Sequence, residues 1–266
     1  MQKTGSIFRL ASTLLACCCL TLGGPPPGSD PSPFAPGETL TFNVSWSVFP
    51  AGTVVATLKQ QSINNQDAYV VDTVARSRGF VSLLFNLRDD LHSVFNPATL
   101  CSEQITKSIN EGRRHRQTKI VFNNVRHVAI LDETDPTRTS QRPKHVENPI
   151  PACAEDIVTG FYYLRSQPIQ VGKSIKVYVN DGSTTHEVVV EVQARERIDT
   201  HLGPRYAFRL EPKVFGDLFK RKGRMLIWIS DDAQRLPLRI KAMILVGDIV
   251  GDLQSVTTTP SSGNSK

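Results

Sequence analysis

The chain has 266 residues, 39% of them hydrophobic, and a formal net charge of +6. That length is enough to bury a core without staples, which excludes a small scaffold that depends on cross-links for its fold. The charge suits contact with anionic lipid or polysaccharide surfaces and serves solubility equally well.

In chain order, the first element is Met1 to Cys19. It places Lys3 and Arg9 ahead of an apolar run from Leu10, followed by Leu14-Leu15-Ala16-Cys17. This is the layout of a bacterial export signal, and the run is shorter than the roughly 20 residues that span a bilayer. Removing Lys3 and Arg9 with such a leader brings the charge from +6 to +4. The string ending at Cys17 resembles the lipobox of bacterial lipoproteins and makes Cys17 the lipidation candidate. Cleavage near Thr21 to Gly24 and an uncleaved anchor are the alternatives. The expected location is therefore the periplasm or the cell envelope, tethered there where Cys17 is lipidated. Residues 20–36 are rich in Pro, Gly and Ser and read as a linker. Residues 37–256 read as a single β-rich domain, and 257–266 as a flexible tail.

Within that domain, Leu40, Phe42, Val44, Trp46 and Val48 alternate with polar residues, the period of a half-buried strand. Pro50-Ala51-Gly52 predicts a turn, Thr53 to Gln60 a return strand, and Asn64-Asn65 a second turn before Tyr69 to Ala75. Gly79 to Leu87 predicts a helical turn or two, or a buried loop. Strands follow at Asp89 to Phe95, Glu103 to Ile109, Gln117 to Phe122 and Val125 to Leu131. Asp132 to Pro149 reads as a surface loop. Ala154 to Arg165 predicts the main helix, with Asp156 at its start and Ile157, Val158, Phe161, Tyr162 and Leu164 on its apolar face. Further strands are expected at Ser174 to Val179, Glu187 to Ala194, Arg205 to Pro212, Arg224 to Ser230, Leu236 to Leu245 and Ile249 to Val256. Asp181-Gly182 and Asp231-Asp232 supply turns. About a dozen strands and one main helix predict an all-β fold: a large antiparallel sheet, curled or closed as a barrel, flanked or plugged by the helix.

Several strings then combine. They are Pro36-Gly37-Glu38-x-Leu40; Asp156-Ile157 with Thr159, Tyr162 and Arg165; Glu211-Pro212; Ile227 to Asp232; and Arg235-Leu236-Pro237. Together they resemble the domain of unknown function DUF3108, found in exported bacterial proteins, over about Pro36 to Val256. The resemblance implies an exported, mostly β protein. It implies no activity and brings no catalytic residues.

The sequence carries no nucleophile elbow, phosphate loop or zinc motif, and its six histidines are scattered. No catalytic, cofactor-binding or metal-binding residue is assigned. Cys101 and Cys153 predict a disulfide, with two separate buried thiols as the alternative. Two basic clusters stand out. One runs from Arg113 to Lys119. The other holds Lys213, Lys220, Arg221, Lys222 and Arg224, and its Lys220, Arg221 and Lys222 are the candidate for contact with a membrane or another anionic surface. The export signal argues against nucleic acid. The expected function is a non-catalytic binding or structural module for an apolar or amphiphilic ligand, or for an envelope partner. The alternative is an envelope hydrolase acting on glycan or lipid.

Overall fold

The computed structural model describes residues 32–84, 86–138, 140–213 and 223–259. Fourteen strands make one antiparallel sheet. The first eight are β1 (Glu38–Trp46), β2 (Phe49–Ile63), β3 (Gln66–Ser77), β4 (Arg88–Phe95), β5 (Ser102–Glu111), β6 (Arg114–Asn123), β7 (Val128–Thr134) and β8 (Lys144–Pro149). The remaining six are β9 (Ser174–Asn180), β10 (Thr185–Ile198), β11 (Arg205–Lys213), β12 (Arg224–Ser230), β13 (Pro237–Met243) and β14 (Asp248–Thr258). A short helix, α1 (Gly79–Leu84), joins β3 to β4, and α2 (Thr159–Ser166) lies between β8 and β9.

The spatial order is β8 through β1, then β14 back to β9. The chain walks outward from the middle to one edge, crosses by way of α2 to the other edge, and walks back until β14 pairs with β1. Short turns between consecutive strands dictate this meander. The inward positions alternate as the pleat requires. Phe42, Leu40, Leu58, Val71, Ile105, Ile120 and Leu131 are all buried there.

The two edges meet through local contacts, with no ladder between β8 and β9 among the described residues. Glu155 accepts from Asn180 N–H at 2.9 Å and donates its own N–H to Tyr178 at 2.7 Å. The buried amides of Asn148 and Asn180 bond to each other at 2.6 Å, and Asn148 Nδ2 also donates to the Gly182 carbonyl. Gly182 (φ +100) is the residue that lets the β9–β10 turn dock, since a Cβ there would lie 2.3 Å from Leu131. Cys101 and Cys153 form a disulfide with Cα atoms 5.2 Å apart, tying the start of β5 to the segment that enters α2. Closing a 52-residue separation is worth about 4 kcal/mol in the chain-entropy account.

Four local expectations need correction. The first turn falls at Ser47-Val48, with Ser47 at φ 53, and Pro50 is the second residue of β2, beside a register irregularity where its missing N–H is tolerated. The polar stretch 132–149 contains β8, which reads as a loop because an edge strand buries only one face. The main helix starts at Thr159 rather than Ala154, because the backbone of Glu155 is committed to β9. Phe34 and Thr257-Thr258, placed in the linker and the tail, are respectively buried against Tyr162 and paired with β1.

Candidate functional site

The strings that carry the resemblance converge on α2. At its C-terminal end Arg165 is 1% exposed and grips Glu38 through two bonds, of 2.7 and 2.8 Å. Its remaining donors reach the carbonyls of Arg235, Gln234 and Pro33 at 3.0–3.2 Å, and its guanidinium lies over Phe34 and Tyr162. Every nitrogen of this buried cation has an acceptor, as a charge deep in a protein requires.

At the other end Asp156 is fully buried. Its carboxylate accepts the N–H groups of Val158 and Thr159 at 2.7 and 3.1 Å and the hydroxyls of Ser93 and Ser102 at 3.1 and 3.2 Å. It therefore caps the entry to α2. Glu155 is buried beside it, within 3.4 Å of the Ser102 hydroxyl. Burial pushes the Glu155 carboxyl up to about 8, and the neighbouring Asp156 charge adds to the rise. Burial also raises Asp156, against the pull of its four donors. The two backbone N–H groups and two hydroxyls that face Asp156 favour its charged form over that of Glu155. Glu155 also lies close to the two cysteine sulfurs, but the disulfide holds both, so no thiolate is present to bind a metal there.

Between these two ends, α2 stands away from the sheet and leaves a cavity of about 330 Å³. Ile157, Phe161 and Leu164 form one wall. Val177 and Val179 of β9, Val188 and Val190 of β10, and Met225 and Ile227 of β12 form the other. Polar groups enter at the border: Asp156, Asn180, Asp181, His186 and, from β5, Lys107. Lys107 shares its strand face with Ile105, so its side chain enters the curl. Burial lowers its pKa, and it has no hydrogen-bond partner among the described residues. The charges of Asp156, Asp181 and Glu133 act on it from a distance. Lys107 also borders a second hollow of about 300 Å³, where the Thr73 hydroxyl is buried without a partner.

Cys17, Lys220, Arg221 and Lys222 lie outside the described residues. Of the histidines, only His186 reaches the cavity, with Nε2 3.8 Å from Asp181. His92 and His145 pair with Asp72 and Asp132 elsewhere. Asp232 caps the β12–β13 turn through Ser230, Gln234 and Arg235, and Asp231 pairs with Arg195. Trp228 is core, its indole N–H bonded to Glu196. Sequence reasoning missed Lys107, Glu155 and the burial of Arg165. The alternation of Ile105, Lys107 and Ile109 was the available signal for Lys107.

The sequence matches the family described as "Protein of unknown function (DUF3108)" over residues 41–254. No curated protein matches it. Among solved structures, it is similar to a β-barrel-like protein of the domain of unknown function DUF1849 from Brucella abortus. That likeness has 6% identity and a TM-score of 0.57, and covers 84% of this chain and 98% of that one. It is one of fold alone. A Bacteroides fragilis protein with a YmcC-like fold aligns at 10% identity and a TM-score of 0.35, over 85% of this chain and 98% of that one, too loosely to carry an argument.

Proposed function

The chain belongs to the DUF3108 family of proteins of unknown function, and from that premise we propose that it is a non-catalytic binding module of the cell envelope that holds one amphiphile with an anionic head. The observation that carries this reading is the pairing of an apolar cavity with a partly buried lysine at its border that has no hydrogen-bond or ion-pair partner among the described residues. An acyl chain would lie against Phe161, Val179, Val190 and Ile227. A carboxylate or phosphate would reach Lys107 and relieve its missing ion pair. The volume sits at the low end of the roughly 300–1,000 Å³ typical of ligand sites, which suits a single chain. Export rests on the sequence of Met1 to Cys19, and retention at the envelope on lipidation of Cys17.

A hydrolase acting on glycan or lipid is the second reading. Asp156, Asp181 and His186 reaching one cavity favours it. Against it, the cavity lining among the described residues holds no hydroxyl or thiol nucleophile, and Asp156 already has its oxygens engaged by four donors.

Native mass spectrometry of protein isolated from cell envelopes, followed by organic extraction, tests the proposal. One amphiphile per chain is the expected result. Protein that never carries or takes up an amphiphile overturns it.

A further inference from the structure

Among the described residues, the exposed apolar side chains concentrate at the end of the curled sheet where β1 turns into β2. Val48 and Phe49 tip the β1–β2 turn, Phe80 and Leu83 stand on α1, and Leu245 and Val246 tip the β13–β14 turn. Val48, Leu83 and Leu245 are 83%, 82% and 80% exposed, values that no core contact explains. The three elements are neighbours. Ser47 N–H donates to the Asp248 carbonyl at 2.7 Å, and Trp46 Nε1 donates to the Val246 carbonyl at 2.8 Å. A Cβ on Gly247 would collide with Ser47. Arg78 N–H, just ahead of α1, donates to the Ala51 carbonyl of β2 at 2.7 Å. At the opposite end, single apolar residues such as Val125 and Val171 are exposed on separate turns.

Charge surrounds this patch with one sign in excess. Asp90, Glu111 and Asp248 are each paired, with Arg76, Arg114 and Lys241. Arg78, Arg88 and Arg113 are exposed and have no ion pair among the described residues. Arg78 and Arg88 bracket α1. Arg113 sits on the β5–β6 turn, whose Gly112 bonds to Asn86 just beyond α1. Apolar tips with arginines set behind them match the depth profile of an anionic bilayer, acyl chains first and phosphates above.

We propose that this rim, formed by the β1–β2 turn, α1 and the β13–β14 turn, docks the protein onto an anionic lipid bilayer. The cavity residues Asn180, His186, Pro212 and Met225 come from strand ends on the same side of the fold. The docking does not depend on whether that cavity is filled.

Trp46 is a built-in reporter, because the only other tryptophan, Trp228, is buried. The full chain is mixed with phosphatidylglycerol–phosphatidylethanolamine vesicles whose acyl chains are brominated. Quenching of Trp46 emission is expected. It should vanish in Trp46→Phe, weaken on phosphatidylcholine, and require roughly a hundredfold more lipid in Leu83→Asp/Leu245→Asp. Both leucines are exposed, so the double variant should keep its melting temperature. Vesicle binding without quenching would assign attachment to the N-terminal segment alone and overturn the proposal. Equal quenching in the double variant would overturn it too. A dimer detected by light scattering and lost in the double variant would give the rim to a second copy instead.

Discussion

Arg165 buries its positive charge and Lys107 brings one to the cavity border, and their surroundings differ. Arg165 meets a carboxylate, three carbonyls and two aromatic faces. Lys107 meets an apolar cavity and carboxylates that act only from a distance. A satisfied buried charge holds the fold together and has nothing left to offer a ligand. An unsatisfied one costs stability, and where it persists at a cavity it marks a place for an anion.

The sharpest way to break this comparison is at Arg165. Glu38→Ala leaves the guanidinium buried without its counter-ion and should cost about 3–5 kcal/mol in chemical denaturation. Replacing both partners together, as Glu38→Leu/Arg165→Met, should cost less than Glu38→Ala alone, because no orphan charge remains.

The carboxyl pair gives the next effect. Glu155 is raised from an ordinary 4.5 to about 8, so between those values the unfolded chain has released a proton that the folded chain keeps. Stability from this group is therefore full below about 4.5 and is lost as pH climbs to about 8. Glu155→Gln should flatten that decline, raising the melting temperature by several degrees at pH 8 while leaving it nearly unchanged at pH 4.5.

Lys107→Met should give the smallest effect, and of opposite sign to the first. Removing a partly buried charge that has no partner among the described residues should leave stability unchanged or raise it by about 1 kcal/mol. A loss comparable to that of Glu38→Ala would place Lys107 with Arg165 as a structural cation.

Much of the fold was legible in the sequence because period-2 alternation and paired turn residues are local signals. Asn64-Asn65 and Asp181-Gly182 marked their hairpins, and Cys101 with Cys153 marked a bridge. What was not legible depends on partners far apart in the chain. Glu155 looked helical because its pairing with β9 cannot be read locally. Lys144 to Pro149 looked like a loop because an edge strand needs little apolar content. The burial of Arg165 depends on Glu38, 127 positions away, which supplies its acceptor. The cavity lies between the sheet and the main helix, while the lysine at its border comes from β5, on the other half of the sheet.

The central claim is that Lys107 receives the head of an anionic amphiphile whose tail fills the cavity. Calorimetric titration of the full chain with dodecanoate and with dodecanol tests it most directly, comparing the native protein with Lys107→Met. One saturable site is predicted, with dodecanoate bound at least tenfold more weakly by the variant and dodecanol bound alike by both. Equal dodecanoate affinity in the two proteins, or no saturable site in either, would contradict the account.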